Sequence, residues 1–149
     1  LGFAANVPLL PVNTLAALAW SHSSQGQSCV AVLDARMDEV YWALVEPSVD
    51  RIQTSFQTQL GPPESVICLD NTVMVGNAFS PYGARLPKGA GQITALPSAA
   101  SMLALAAQML ARGDAVTAAE AAPLYVRDKV AQTTAERADL KLQALKSAA

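Results

Sequence analysis

A mixed α/β layer fold is predicted for this chain by three features of its sequence. Segments of strand length, two apolar and one alternating, follow one another early, at 29–35, 39–46 and 51–60, with short turns between them. Glycine and proline mark the breaks, as at Gly61-Pro-Pro63. Beyond residue 64 helices and strands alternate, so a three-strand meander leads into a mixed sheet with flanking helices. The 149 residues suit one domain and allow a real hydrophobic core.

The elements follow in order. Leu1-Gly-Phe-Ala-Ala-Asn6 reads as the last turns of a helix, and residue 1 is not methionine, so a fragment is expected. Residues 7–12 contain Pro8 and Pro11 and are extended in a way that suits a sheet edge. Asn13 or Thr14 caps a helix running through Trp20, and 21–28 is a polar loop. The run 29–35 is apolar up to Asp34, as in a strand buried on both faces. The run 39–46 is rich in β-branched and aromatic residues and pairs with it as a hairpin. Ile52, Thr54, Phe56, Thr58 and Leu60 alternate with polar residues, which predicts a half-exposed third strand.

A turn or short helix follows from Glu64, and a strand at 72–75 ends on Gly76. A loop or short helix leads through Gly83 to Leu86, and 92–96 is a short last strand. Ser98 caps the best helix, which runs to Arg112 with Gly113 at its C′ position. Its expected buried stripe is Met102, Leu103, Ala106, Met109 and Leu110. Residues 123–127 are extended. Thr133 and Glu136 form a capping box that opens a final helix with a weak stripe of Ala138, Leu142, Leu145 and Ala149.

Composition excludes several classes. The chain is 52% hydrophobic, discounted for 29 alanines, and only 15% charged, which rules out disorder of the whole chain. No apolar run approaches the roughly 18 residues of a membrane helix. An acidic pI near 5.2 argues against a nucleic-acid binder that works by bulk charge. Residues 1–84 carry a net charge of −5 and 85–149 a net +3, an asymmetry most simply read as solvated surface. Two cysteines, Cys29 and Cys68, sit in apolar runs, where free thiols behave as small hydrophobes. An intracellular, cytoplasmic setting is expected, and no zinc-binding spacing is present.

Candidate chemistry is sparse. His22 stands in a serine-rich loop with no nucleophile–base–orienter arrangement, so it is expected to be an exposed loop residue. The stretch Gly83-Ala-Arg-Leu-Pro-Lys-Gly-Ala-Gly91 lacks the phosphate-loop order and reads as a surface turn. Gly76 after a strand serves either close backbone approach to a ligand or plain packing. Asp34 ends a buried strand where open α/β sheets place ligands, with Arg36 and Glu39 beside it. This group could bind magnesium, hold a phosphate through Arg36, or form a salt-bridged turn, and the turn is the preferred reading. No catalytic or metal-binding set is assigned. Asp34, Arg36 and Gly76 are the candidate cofactor-binding residues.

Four stretches carry a family resemblance. Val32-Leu-Asp-Ala-Arg-Met-Asp-Glu-Val-Tyr-Trp-Ala43 resembles the second-lobe signature of the TsaB family of bacterial tRNA threonylcarbamoyladenosine biosynthesis proteins. Gly2 to Ala19, Thr72-Val-Met-Val-Gly-Asn-Ala78 and Pro123-Leu-Tyr-Val-Arg-Asp-Lys-Val-Ala131 resemble further family passages, in order and at suitable spacing. The resemblance implies an RNase H-like lobe of the actin-like ATPase superfamily over 1–134, with the first lobe missing and a helical tail at 135–149.

It implies a non-catalytic partner and activator of the paralogue TsaD in attaching threonylcarbamoyl to adenosine 37 of tRNA. Pairing with TsaD is implied mainly through the missing lobe, with TsaE in the pathway, tRNA met indirectly and self-association as a further expectation. No cofactor is expected in this stretch, while ATP and magnesium belong to the complete complex. Two alternatives stand beside it: a glycoprotease-like (M22) peptidase and a nucleotide-binding lobe. Asp38 occupies a position where the family carries glycine, which adds a carboxylate to a tight turn and predicts charge repulsion there.

Overall fold

The computed structural model describes residues 1–22, 27–45, 57–88 and 91–127. Its centre is β1 (Ser28–Arg36), whose apolar run pairs antiparallel with β2 (Glu39–Val45) and parallel with β4 (Thr72–Gly76). β3 (Gln59–Gly61) extends the sheet beyond β2, and β5 (Gly91–Thr94) lies parallel to β4 on the other side. The order β3-β2-β1-β4-β5 is an antiparallel meander joined to parallel strands, the mixed sheet expected from the sequence. Residues 51–56 of the predicted third strand lie outside the described residues, as do the predicted final helix and the tail at 135–149.

Alternation sends successive side chains to opposite faces. Cys29, Ala31, Ala43, Val45, Val73 and Val75 form one cluster with Leu15, Leu18 and Ala19 of α2 (Thr14–His22). Val30, Val32, Val40, Trp42 and Met74 form the other, covered by Val66, Ala78 and Leu86. A 3-10 turn at Pro63–Ser65 and the short α3 (Phe79–Tyr82) carry the chain across that second face. Asn13 caps α2 as predicted: its Oδ1 accepts from the N–H groups of Leu15 (2.9 Å) and Ala16 (3.2 Å). α1 (Gly2–Ala5) ends at Asn6 in the left-handed region, and Leu9 bridges to Val116.

α4 (Ala99–Ala111) starts at Ser98, whose hydroxyl accepts from the Ser101 N–H, and stops before Gly113 at φ 84°. Its buried stripe differs from the expected one. Leu105 is buried, while Leu103 and Leu110 are 72% and 61% exposed. α4 packs mainly on α2 and not on the sheet, so only a narrow strip is covered. At about 100° per residue, Met102 and Met109 lie about 60° and about 40° to one side of Leu105, and Leu103 points nearly opposite. The predicted strand at 92–96 is shifted to Gly91–Thr94, and all four of its residues are exposed. No helix among the described residues is long and apolar enough to cross a membrane.

Candidate functional site

The carboxyl ends of the parallel strands β1 and β4 meet where the β1–β2 hairpin turns. Ala35 bulges between the pairs Asp34–Val40 and Arg36–Glu39, and the chain reverses through Met37 and Asp38 at φ 57° and 64°. Positive φ at both central residues matches the right-handed twist of a hairpin, although L-residues pay for it in sterics. Arg36 is also left-handed, at φ 62°. The glycine-like turn therefore persists with Asp38 in it.

The expected charge repulsion is relieved by a residue distant in sequence. Arg85 Nη1 lies 2.5 Å from Asp38 Oδ1, and the same guanidinium grips Glu64 through Nε (2.5 Å) and Nη2 (3.0 Å). This hydrogen bonding lowers the Glu64 pKa and raises that of Arg85.

Asp34 is held from several directions. Its N–H donates to Asn77 Oδ1 at 2.8 Å, and its Oδ1 accepts from the Arg36 N–H (2.8 Å) and the Tyr82 hydroxyl (3.2 Å). Arg36 Nη1 lies 3.4 Å from Asp34 Oδ2, on a side chain 87% exposed. Desolvation first, and then the hydrogen bond to Asp34, push the Tyr82 phenol above its ordinary value. Gly76 pairs with Val32 in the sheet, and a Cβ there would sit 1.7 Å from the Val32 carbonyl oxygen. Asp34, Arg36 and Gly76 are thus gathered at one corner, with Asn77 joining the two strands.

Residues 121–127 form neither helix nor strand and end at the hairpin. Arg127 Nη2 donates to Glu39 Oε2 (2.6 Å) and to the Ala35 carbonyl (3.2 Å), and Nη1 approaches Met37 Sδ at 3.3 Å. Its Nε is buried with no partner among the described residues.

The sequence reading missed the roles of Asn77, Tyr82, Glu64, Arg85 and Arg127. Each acts across 21 to 92 positions, beyond the reach of local patterns, although Arg127 stood inside the closing motif. His22 is the last residue of α2, half-buried, with Nδ1 2.9 Å from Ser21 Oγ and 3.0 Å from the Leu18 carbonyl. Helix, not loop, is its setting. In the glycine-rich stretch Lys88 is exposed, Gly91 opens β5, and Gly89 lies outside the described residues.

The corner balances Asp34, Asp38, Glu39 and Glu64 against Arg36, Arg85 and Arg127. Arg85 and Arg127 are gripped by carboxylates at 2.5–2.6 Å, whereas Arg36 meets Asp34 at 3.4 Å on a side chain 87% exposed, so of the three it is the one best placed to turn toward an anion. A backbone oxygen fills the space beside Gly76, so the glycine serves strand packing and makes no phosphate cradle of its own. Among the described residues, no three His, Cys, Asp or Glu side chains are grouped to hold a metal ion.

Comparison with known proteins agrees with this architecture. The family model described as "TsaD: tRNA N6-adenosine threonylcarbamoyltransferase" matches residues 1–80. A tRNA threonylcarbamoyladenosine biosynthesis protein TsaB from Haemophilus influenzae is 31% identical over 146 residues, covering 87% of this chain and 61% of that protein. The protein of that name from Escherichia coli is 30% identical over 145 residues, covering 88% and 62%. Two solved structures from Pseudomonas aeruginosa are similar. One, an uncharacterized protein with similarity to peptidase YeaZ, gives a TM-score of 0.74 at 31% identity over 85% of this chain and 62% of that one. The other, YeaZ, gives 0.71 at 31% identity over 83% and 61%. The fold is thus the α/β actin-like ATPase type expected from the sequence. The chain spans about three fifths of the length of these relatives.

Proposed function

Because the chain belongs to the family of TsaD and TsaB, the tRNA threonylcarbamoyladenosine proteins, we propose that it is the second lobe of a non-catalytic partner that activates TsaD. The reaction it serves is attachment of threonylcarbamoyl to adenosine 37 of tRNA. One observation carries this reading: relatives named TsaB match 87% and 88% of the chain. Supporting it, the signature at 32–43 folds as the hairpin around which the corner is built.

In this reading the lobe is a scaffold. Asp34 is held by backbone and phenol donors, and Arg85 and Arg127 pin the hairpin from two later segments. Contact with TsaD and TsaE belongs to the complete protein, in the cytoplasm, and tRNA is met indirectly through that complex. Reconstitution of tRNA modification with TsaD, with and without the complete protein containing this lobe, tests the proposal. Modification is expected to depend on it, and an unchanged yield without it would sink the reading.

A nucleotide-binding role has narrower support: Arg36 stays exposed beside Asp34 at the carboxyl end of β1, where α/β sheets place ligands. Titration of the complete protein with ATP and magnesium is expected to lose heat signal in Arg36→Gln. Equal affinity in that variant would remove Arg36 from the reading.

A further inference from the structure

A cavity of about 670 Å³ opens on the α2 side of the hairpin, away from the Asp34–Tyr82 contact. Val12 and Leu15 at the start of α2 form one wall and Leu33 and Tyr41 of the hairpin form the floor. Ala122, Pro123, Leu124 and Val126 form the opposite wall. The volume falls within the range of about 300–1,000 Å³ usual for small-molecule sites. None of its described lining residues is charged. An ion there would lose hydration with no opposite charge to replace it, so the walls select a neutral occupant. Asn13 is already committed to its helix cap and to Thr58, whereas the hydroxyls of Thr14 and Tyr41 bring hydrogen-bonding capacity to the lining.

The wall at 122–126 is a strap. It has no secondary structure, and its end is tied to the hairpin by the Arg127 contacts with Glu39 and the Ala35 carbonyl. We infer that this cavity binds a small, neutral, largely apolar molecule carrying one or two hydrogen-bonding groups, with 122–127 as the strap that retains it. The strap and the uncharged walls are independent observations, and the inference does not depend on the role in tRNA modification.

The test titrates the neutral fluorophore N-phenyl-1-naphthylamine onto the whole chain. Saturable binding of one probe per chain is expected, with shifts in the NMR signals of the Leu33 and Val126 methyls. Leu33→Trp and Val126→Trp each place an indole in the cavity and are expected to weaken binding about tenfold or more. Arg127→Gln frees the strap and is expected to speed probe release several-fold.

Methyl shifts confined to Leu103 and Leu110 would overturn the inference, because the probe would then be coating the exposed side of α4. So would undiminished affinity in a folded tryptophan variant. If sedimentation shows the chains pairing, and Val126→Trp abolishes that pairing while no probe enters, the cavity is a contact between copies and the inference falls.

Discussion

Gly76 shows most sharply how one residue can hold a sheet together. Its φ of 154° and the Val32 carbonyl 1.7 Å from the position of a Cβ leave no room for any side chain. Gly76→Ala is expected to cost at least about 3 kcal/mol from steric overlap and backbone strain, read as a lower urea midpoint. The hairpin tip is the opposite case, a place where the natural residues are poorly suited to the backbone. Met37 is 59% exposed and left-handed, a conformation that asparagine tolerates far better. Met37→Asn is expected to raise stability by about 0.5–1 kcal/mol, checked by the same denaturation. The glycine and the strand before it could be read from the sequence. Three left-handed residues in a row could not, because Asp38 tolerates that conformation but Arg36 and Met37 carry no local signal for it.

Elements are joined here by guanidinium groups as much as by packing. Arg85, just after α3, ties the hairpin tip to the 3-10 turn through Asp38 and Glu64. The Glu64 carboxyl is held below its ordinary value of 4.5 by this hydrogen bond. A carboxyl with a lowered folded pKa stabilises the fold above its unfolded pKa, and that contribution is lost as pH falls through the folded pKa. Thermal melts of the wild type are therefore expected to fall below about pH 4.5 partly through Glu64, and Glu64→Gln is expected to flatten that part of the profile. The pair is exposed, so the effect is small and should shrink further with added salt. In α4 the sequence showed the helix, its Ser98 cap and its Gly113 stop. Which leucines it buries was decided by α2, the element it packs against.

Across the whole molecule, the sheet sits between α2 on one face and the segments at 63–66 and 78–86 on the other, and Cys29 lies fully buried in its central strand. Burial pushes the Cys29 thiol up to about 12, while Cys68 is half-buried and raised in the same direction. Thiol reagents are expected to label Cys68 first, and Cys29 only at the rate of global opening, so Leu18→Ala should speed Cys29 labelling. That substitution removes a fully buried side chain and is expected to cost about 2–5 kcal/mol. Cys29 labelling as fast as Cys68 would mean that the central strand opens locally.

The sequence by itself determined the α/β class, the central hairpin, the capped helices and the family, because apolar periodicity, capping residues and short motifs act over a few positions. Only the tertiary structure decided where β4 and β5 join the meander, the outward side of α4, the grip of Arg85 and Arg127 on the hairpin and the cavity under the strap. Those features depend on contacts between segments far apart in the chain, as between Arg127 and Ala35, and packing geometry alone sets them.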